Sequence, residues 1–324
     1  MTLYIQNYMD ISVNLTDLTH IPNISDTPLK VVVFDFDETI GYFSQFSSFI
    51  TKIRFLIDVE ENFFNLLDTF PQIFRPNIFN VFNILKTKKD TGKIDGVILY
   101  TNNCGGKEWV DKVINYIHHK LEYKLFDTII YTHTDQRGRV IDHRRTSLNK
   151  SKTDLLYVIT EQIQTSINIL NQLEKYKYID TELKKWLNIR LTWKTKILYQ
   201  YNIHFYFFDD VYYPEMCEDI NNIRFQNFFN LVKQLTNFNM TYMPETISHY
   251  YMVDKYHTSI DFKSFLMNNS KLVFKNDTQK HQFERELAHI QSDLDDQYNI
   301  FKTAPNSVVK HNYGKKILEI IEKI

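Results

Sequence analysis

Two cysteines in 324 residues, Cys104 and Cys217, are too few for the disulfide framework of a secreted domain, and a reducing compartment is expected. No apolar run free of charge approaches the roughly 20 residues that span a bilayer. Met1 to Val13 has neither a basic start nor a continuous apolar stretch, so no signal peptide is expected. A soluble, intracellular chain without membrane partners follows as the expectation. The net charge of −1 gives no global case for nucleic-acid binding, so any such contact must be local. Glycine and proline are scarce, at 7 each, and no repeat or low-complexity segment interrupts the chain.

A hydrophobic fraction of 43% against 24% charged residues is that of a globular protein, long enough for one large domain or two modest ones. The most informative segment is Val31-Val32-Val33-Phe34-Asp35-Phe36-Asp37-Glu38-Thr39. Four apolar residues running into D-x-D-x-T predict a buried parallel strand that delivers two carboxylates and a hydroxyl to the carboxyl edge of a sheet. Asp35 there suits in-line attack on phosphorus, provided a divalent cation neutralises the surrounding oxygens. Asp37, two residues on, is placed to protonate the leaving oxygen and then activate water. Its backbone carbonyl is available to a metal such as Mg²⁺, which prefers oxygen ligands. Thr39 braces the turn.

Two more strands end in polar groups. Val97-Ile98-Leu99-Tyr100 leads to Thr101-Asn102-Asn103, then Gly105-Gly106 and an amphipathic helix over about Lys107 to Leu121. The Thr101 hydroxyl, with Asn102 and backbone amides near a helix N-terminus, suits the non-reacting oxygens of a phosphate. Phe205-Tyr206-Phe207-Phe208 leads to Asp209-Asp210. Adjacent carboxylates repel unless a cation lies between them, which makes a bound metal the economical explanation.

These motifs, in this order, resemble the haloacid dehalogenase superfamily, whose phosphatases carry D-x-D-x-T. The resemblance implies a Rossmann-like parallel sheet flanked by helices, an aspartyl-phosphate intermediate and Mg²⁺ held by Asp35, Asp37, Asp209 and Asp210. It also implies a lysine that stabilises the phosphorylated aspartate. Lys150 fits, at the mouth of a helix capped by Ser151 or Thr153, with Lys152 the alternative. Phe74-Arg75-Pro76 through Phe82-Asn83-Ile84-Leu85 resembles the R-P-x-x-x-x-F-L segment of the RNA polymerase II C-terminal-domain phosphatase group, also called NLI-interacting-factor-like. The stretches from Tyr100 to Val110 and from Asp209 to Met216 resemble members found in large DNA viruses, for which host cytoplasm or virion is the implied location. Phe36 stands where the family usually has Leu, Asn102 and Asn103 replace small residues, and Asp210 stands where many members have Asn. None of these departures removes a reactive group.

The expected organisation is a lead-in over 1–29, a catalytic domain over 30–238 and a mostly helical extension over 239–324. Within the domain lie a small Phe-rich insert at about 41–73, expected as a flap or cap above the site, and a helical insert at about 157–200. A core helix is expected around Arg75 to Lys86 and a further strand at Ile129 to Thr132. In the extension, Phe283, Leu287, Ile290, Leu294 and Phe301 form an apolar stripe near heptad spacing that suits a helical hairpin docked on the core, with a dimerising coil as the alternative. The implied activity is hydrolysis of phosphomonoesters, first of phosphoserine or phosphothreonine in protein. Small phosphate esters and polynucleotide ends follow as substrates, with a catalytically silent scaffold as the rival reading. Oligomeric state is not legible.

Overall fold

The computed structural model describes residues 28–145, 147–158, 161, 202–217, 237–243, 266–268, 270–287, 289–290 and 313–324. The expected lead-in up to residue 27, the helical insert beyond 161 and the C-terminal end of the 283–301 stripe, Leu294 and Phe301, lie outside these residues.

Five parallel strands form one sheet: β1 (Leu29–Phe34), β2 (Gly96–Tyr100), β3 (Thr128–Ile130), β4 (Asn202–Phe208) and β5 (Asn237–Met243), in the order β3-β2-β1-β4-β5. The chain is thus α/β. β1 is central, and its Val31-Val32-Val33 run suits a strand covered on both faces. Alternation divides it cleanly. Val32 and Phe34 enter one core cluster with Val97 and Leu99, whereas Val31 and Val33 enter the other with Ile98, Tyr100, Phe205 and Phe207.

The first face carries α1 (Ser44–Ile53), α2 (Val59–Thr69), α3 (Ile78–Asp90), α4 (Lys107–Leu121) and the last described helix, α5 (Tyr313–Lys323). The second carries a helical segment over 152–158, through Leu155 and Val158, with Met216 beside it. α4 has the bounds read from its periodicity. α3 begins three residues later than expected and ends at Asp90: Pro76 cannot donate, and Asn77, at φ +66°, turns the chain before Ile78. The expected strand at Ile129 to Thr132 is Thr128–Ile130, and β5 straddles residue 238.

The Phe-rich segment is α1, α2 and a short 3₁₀ turn, Pro71–Ile73, and most of its aromatics pack into the core against one another and Trp109. Asp58 caps α2 by accepting from the Glu60 and Glu61 amides. Buried Asn62 mimics a peptide group, donating to Val273 O at 3.1 Å and accepting from Val273 N at 2.7 Å. A segment more than 200 residues away is thereby strapped to α2. Phe283, Leu287 and Ile290 are buried in the same cluster, docked on the core. Among the described residues no helix is long and apolar enough to cross a membrane.

Near the end of α4, His118 Nε2 lies 3.3 Å from the Phe126 N–H, which it accepts only when that nitrogen is unprotonated. A helix C-terminus favours a charged histidine, but burial, with Lys124 and Lys89 nearby, outweighs it and lowers the pKa to about 4. A histidine depressed below its unfolded value of about 6.5 contributes stability that is complete above that pH and lost as pH falls toward 4. Urea titrations between those limits should show wild-type stability falling with pH more steeply than that of His118→Gln.

Candidate functional site

Strand order reverses at β1: the chain runs outward through β2 and β3, then returns to place β4 on β1's other side. The carboxyl ends of β1 and β4 therefore form a topological switch point, where open α/β sheets hold ligands. Phe34 is in register with Phe208, and the Asp35 N–H continues the ladder to Phe208 O at 2.9 Å. Asp35 and Asp209 are thus neighbours across the sheet.

Beyond Asp35 the chain turns sharply. Glu38 sits at φ +58°, and its N–H donates to Gly41 O at 2.7 Å. Arg75, 1% exposed, donates to the backbone carbonyls of Glu38 and Thr39, fastening the turn from below. Gly41 runs flush against the segment before Arg75. A Cβ there would lie 2.6 Å from Ile73 O, a backbone atom with no rotamer to escape into.

Ligand atoms of Asp35, Asp209 and Asp210, all buried, lie within 4.8 Å of one another. Lys150, 1% exposed, donates through Nζ to Asp35 Oδ1 and to Asp209 Oδ2, the latter at 2.8 Å. Thr39 Oγ1 donates to Asp210 Oδ1 at 3.1 Å, so the hydroxyl expected to brace the turn also braces a member of the trio. The Val211 N–H donates to Asp209 Oδ1 at 3.0 Å. Burial and the neighbouring acids hold Asp209 and Asp210 above the usual carboxylate range, with Lys150 pulling the other way. Burial draws the Lys150 ammonium down, but Asp209 and Asp35 prevail and keep it firmly charged.

The Asp37 carboxylate stands outside the trio. It accepts a 2.7 Å bond at Oδ2 from Asn103 Nδ2, and burial together with Asp35 pushes its pKa up to about 7. Thr101 is fully buried, and its Oγ1 accepts from the Asn103 N–H at 2.9 Å. Both ends of the Asn102 amide are engaged by protein: Oδ1 accepts from Arg145 at 2.7 Å, and Nδ2 donates to Tyr213 Oη at 3.0 Å. Asn102 therefore cross-links three loops, and Asn103 is the residue that touches the Asp37 carboxyl. The sequence carries a signal for this in Asn103-Cys104-Gly105, because N-x-G favours the Asx turn in which Asn103 Oδ1 accepts from the Gly105 N–H at 2.8 Å.

Three buried carboxylates, with Asp37 beside them, gather around the Lys150 ammonium. An all-oxygen donor set of this kind fits a hard divalent cation better than a soft transition metal. Comparison with protein-family models, curated proteins and solved structures gave no match. The geometry therefore stands as the ground for any functional reading.

Because Ile73 O cannot yield, Gly41→Ala should lower unfolding stability by about 1–3 kcal/mol, the usual cost of overpacking. Urea denaturation measures it.

Proposed function

We propose that this chain is a Mg²⁺-dependent phosphomonoesterase of the haloacid dehalogenase type, working through an aspartyl-phosphate. The observation that carries the reading is the Lys150 ammonium bridging Asp35 and Asp209 inside the carboxylate trio at the switch point. A structural ion pair needs one acid; this arrangement gathers three around one ammonium.

In this reading the Asp35, Asp209 and Asp210 carboxylates and the Asp37 carbonyl hold the cation. Bound Mg²⁺ supplies the charge neutralisation that lets an anionic carboxylate approach an anionic phosphoryl group. Asp35 attacks phosphorus, and the bond from phosphorus to the ester oxygen breaks. Asp37, aimed by Asn103, gives its proton to the departing alkoxide. The Asp37 carboxylate then takes a proton from water, and the resulting hydroxide attacks the same phosphorus. The bond to Asp35 breaks, releasing inorganic phosphate and restoring both carboxyls to their starting protonation states. Lys150 stays charged throughout and offsets the negative charge on the phosphorylated aspartate.

Phosphoserine or phosphothreonine protein is the substrate class this reading puts first. The α1–α2 insert is drawn onto α4 by ion pairs such as Lys120–Asp68 and by Phe46 and Phe63 against Trp109. Packed in this way it serves as a side wall, which suits a phosphate protruding from a larger molecule.

Purified protein should hydrolyse an aryl phosphate only with Mg²⁺ added, and Asp35→Asn should abolish turnover; an absence of metal-dependent hydrolysis sinks the reading. Asp37→Asn separates the two steps. Turnover of a serine phosphate, whose alkoxide leaves poorly, should fall by about 10²–10⁴-fold, the range for a lost general acid. The burst of phenolate from an aryl phosphate should fall much less. Equal losses on both substrates would assign Asp37 to metal binding or structure instead.

A further inference from the structure

We infer that Arg145 is a positioning residue for Lys150: one buried guanidinium grips the loop before the lysine and ties it to the end of β2. Arg145 is 3% exposed. One terminal nitrogen donates to the carbonyls of Ser147 at 3.1 Å, Leu148 at 2.8 Å and Asn149 at 3.3 Å, and also to Asn102 Oδ1 at 2.7 Å. The other donates to Thr101 O at 3.2 Å and Tyr131 O at 3.4 Å. Nε lies 3.2 Å from Asp154 Oδ2 as a buried ion pair. The guanidinium carbon lies over the Tyr100 ring, 4.9 Å from its centroid.

Three successive carbonyls turned toward one cation require a tightly curled backbone, and the residue leaving that curl is Lys150. The next peptide is held from the other side, because the Ser151 N–H donates to Tyr100 Oη at 2.9 Å and Tyr100 Oη donates to Asp154. The lysine thus emerges between two fixed points. Its ammonium lies 5.7, 5.6 and 5.3 Å from the rings of Tyr100, Phe207 and Tyr213, leaving the stem little choice of path to Asp35 and Asp209. A surface salt bridge would not need this apparatus. Arg145 has the fork geometry to serve several acceptors at once, which a lysine lacks.

Only the significance of Lys150 for turnover rests on the phosphatase reading; the clamp itself is tested without it. The full-length protein and its Arg145→Lys and Arg145→Ala variants are acetylated with an N-hydroxysuccinimide ester and mapped by mass spectrometry. Lys107, whose side chain is 56% exposed, is the internal standard. In wild type Lys150 should be protected. In Arg145→Lys, shown to be folded by near-UV circular dichroism, labelling of Lys150 should rise at least about tenfold, while Lys107 is unchanged. Millimolar guanidinium should restore protection to Arg145→Ala, a rescue that a merely space-filling role would not give.

If the site is a phosphatase, kcat of Arg145→Lys should also fall by about 10²-fold, the order expected for a small misplacement of a catalytic group. Unchanged Lys150 labelling in folded Arg145→Lys overturns the inference whatever the activity. Failure of both variants to fold, even with guanidinium, overturns it too, since Arg145 would then be a general structural residue. A wild type without phosphatase activity but with the expected labelling pattern leaves the clamp standing and removes the enzymatic reading.

Discussion

The site depends on one ammonium placed between two carboxylates in a dry environment. Acids brought to adjacent strand ends repel, and burial strips them of the water that would screen them. Lys150 meets that cost at the boundary between β1 and β4, bonding Asp35 and Asp209 together. Removing one partner of such a buried pair costs far more than never burying it, because the remaining charge has nowhere to go. The sheet makes the juxtaposition unavoidable. Phe34 pairs with Phe208, so the residues that follow them share an edge, on the face toward which Val31, Val33, Phe205 and Phe207 point and from which the 152–158 helical segment packs.

Two buried arginines hold the loops that this pairing requires. Arg75 takes the carbonyls of Glu38 and Thr39 after β1, and Arg145 takes those of Ser147, Leu148 and Asn149 before Lys150. Loop carbonyls that would otherwise turn to water are given charged donors inside the protein. The effect is to make parts of two irregular segments as fixed as the strands they join. Under the proposed reading that rigidity matters, since misplacement of a catalytic group by an ångström is costly.

Much of this was legible in the sequence, and for identifiable reasons. Val31 to Phe34, Val97 to Tyr100 and Phe205 to Phe208 are continuous apolar runs, and a strand buried on both faces can hardly be written otherwise. The polar residues closing each run were therefore visible as edge residues, and α4 announced itself through its helical period. β5, Asn237 to Met243, was not visible, because its asparagines and threonine dilute the β signal. α3 begins later than its apolar period predicts, because the Phe74, Ile78, Phe82 spacing runs across Pro76 and masks the break. Asn102 and Asn103 differ by one position, and only the turn at Gly105 decides which amide reaches Asp37. Pairings such as Asn62 with Val273 join segments too distant for any local pattern to reveal.

Asn103 gives the site a coupling that neither strand end has alone. Its backbone N–H donates to the Thr101 hydroxyl, its side-chain Nδ2 donates to Asp37, and its side-chain Oδ1 accepts from the Gly105 N–H at the entry to α4. The carboxyl assigned to proton transfer and the hydroxyl assigned to phosphate oxygens are therefore held by one residue. Thr101 is fixed in turn by its N–H to Ile130 O at 3.0 Å, and by Arg145 on its carbonyl. Displacing the end of β2 would move the Asp37 hydrogen-bond donor and the Lys150 loop together. The hydrogen bond on Asp37 and the loop that carries Lys150 thus share a mechanical origin in β2, although neither Asp37 nor Lys150 lies on it.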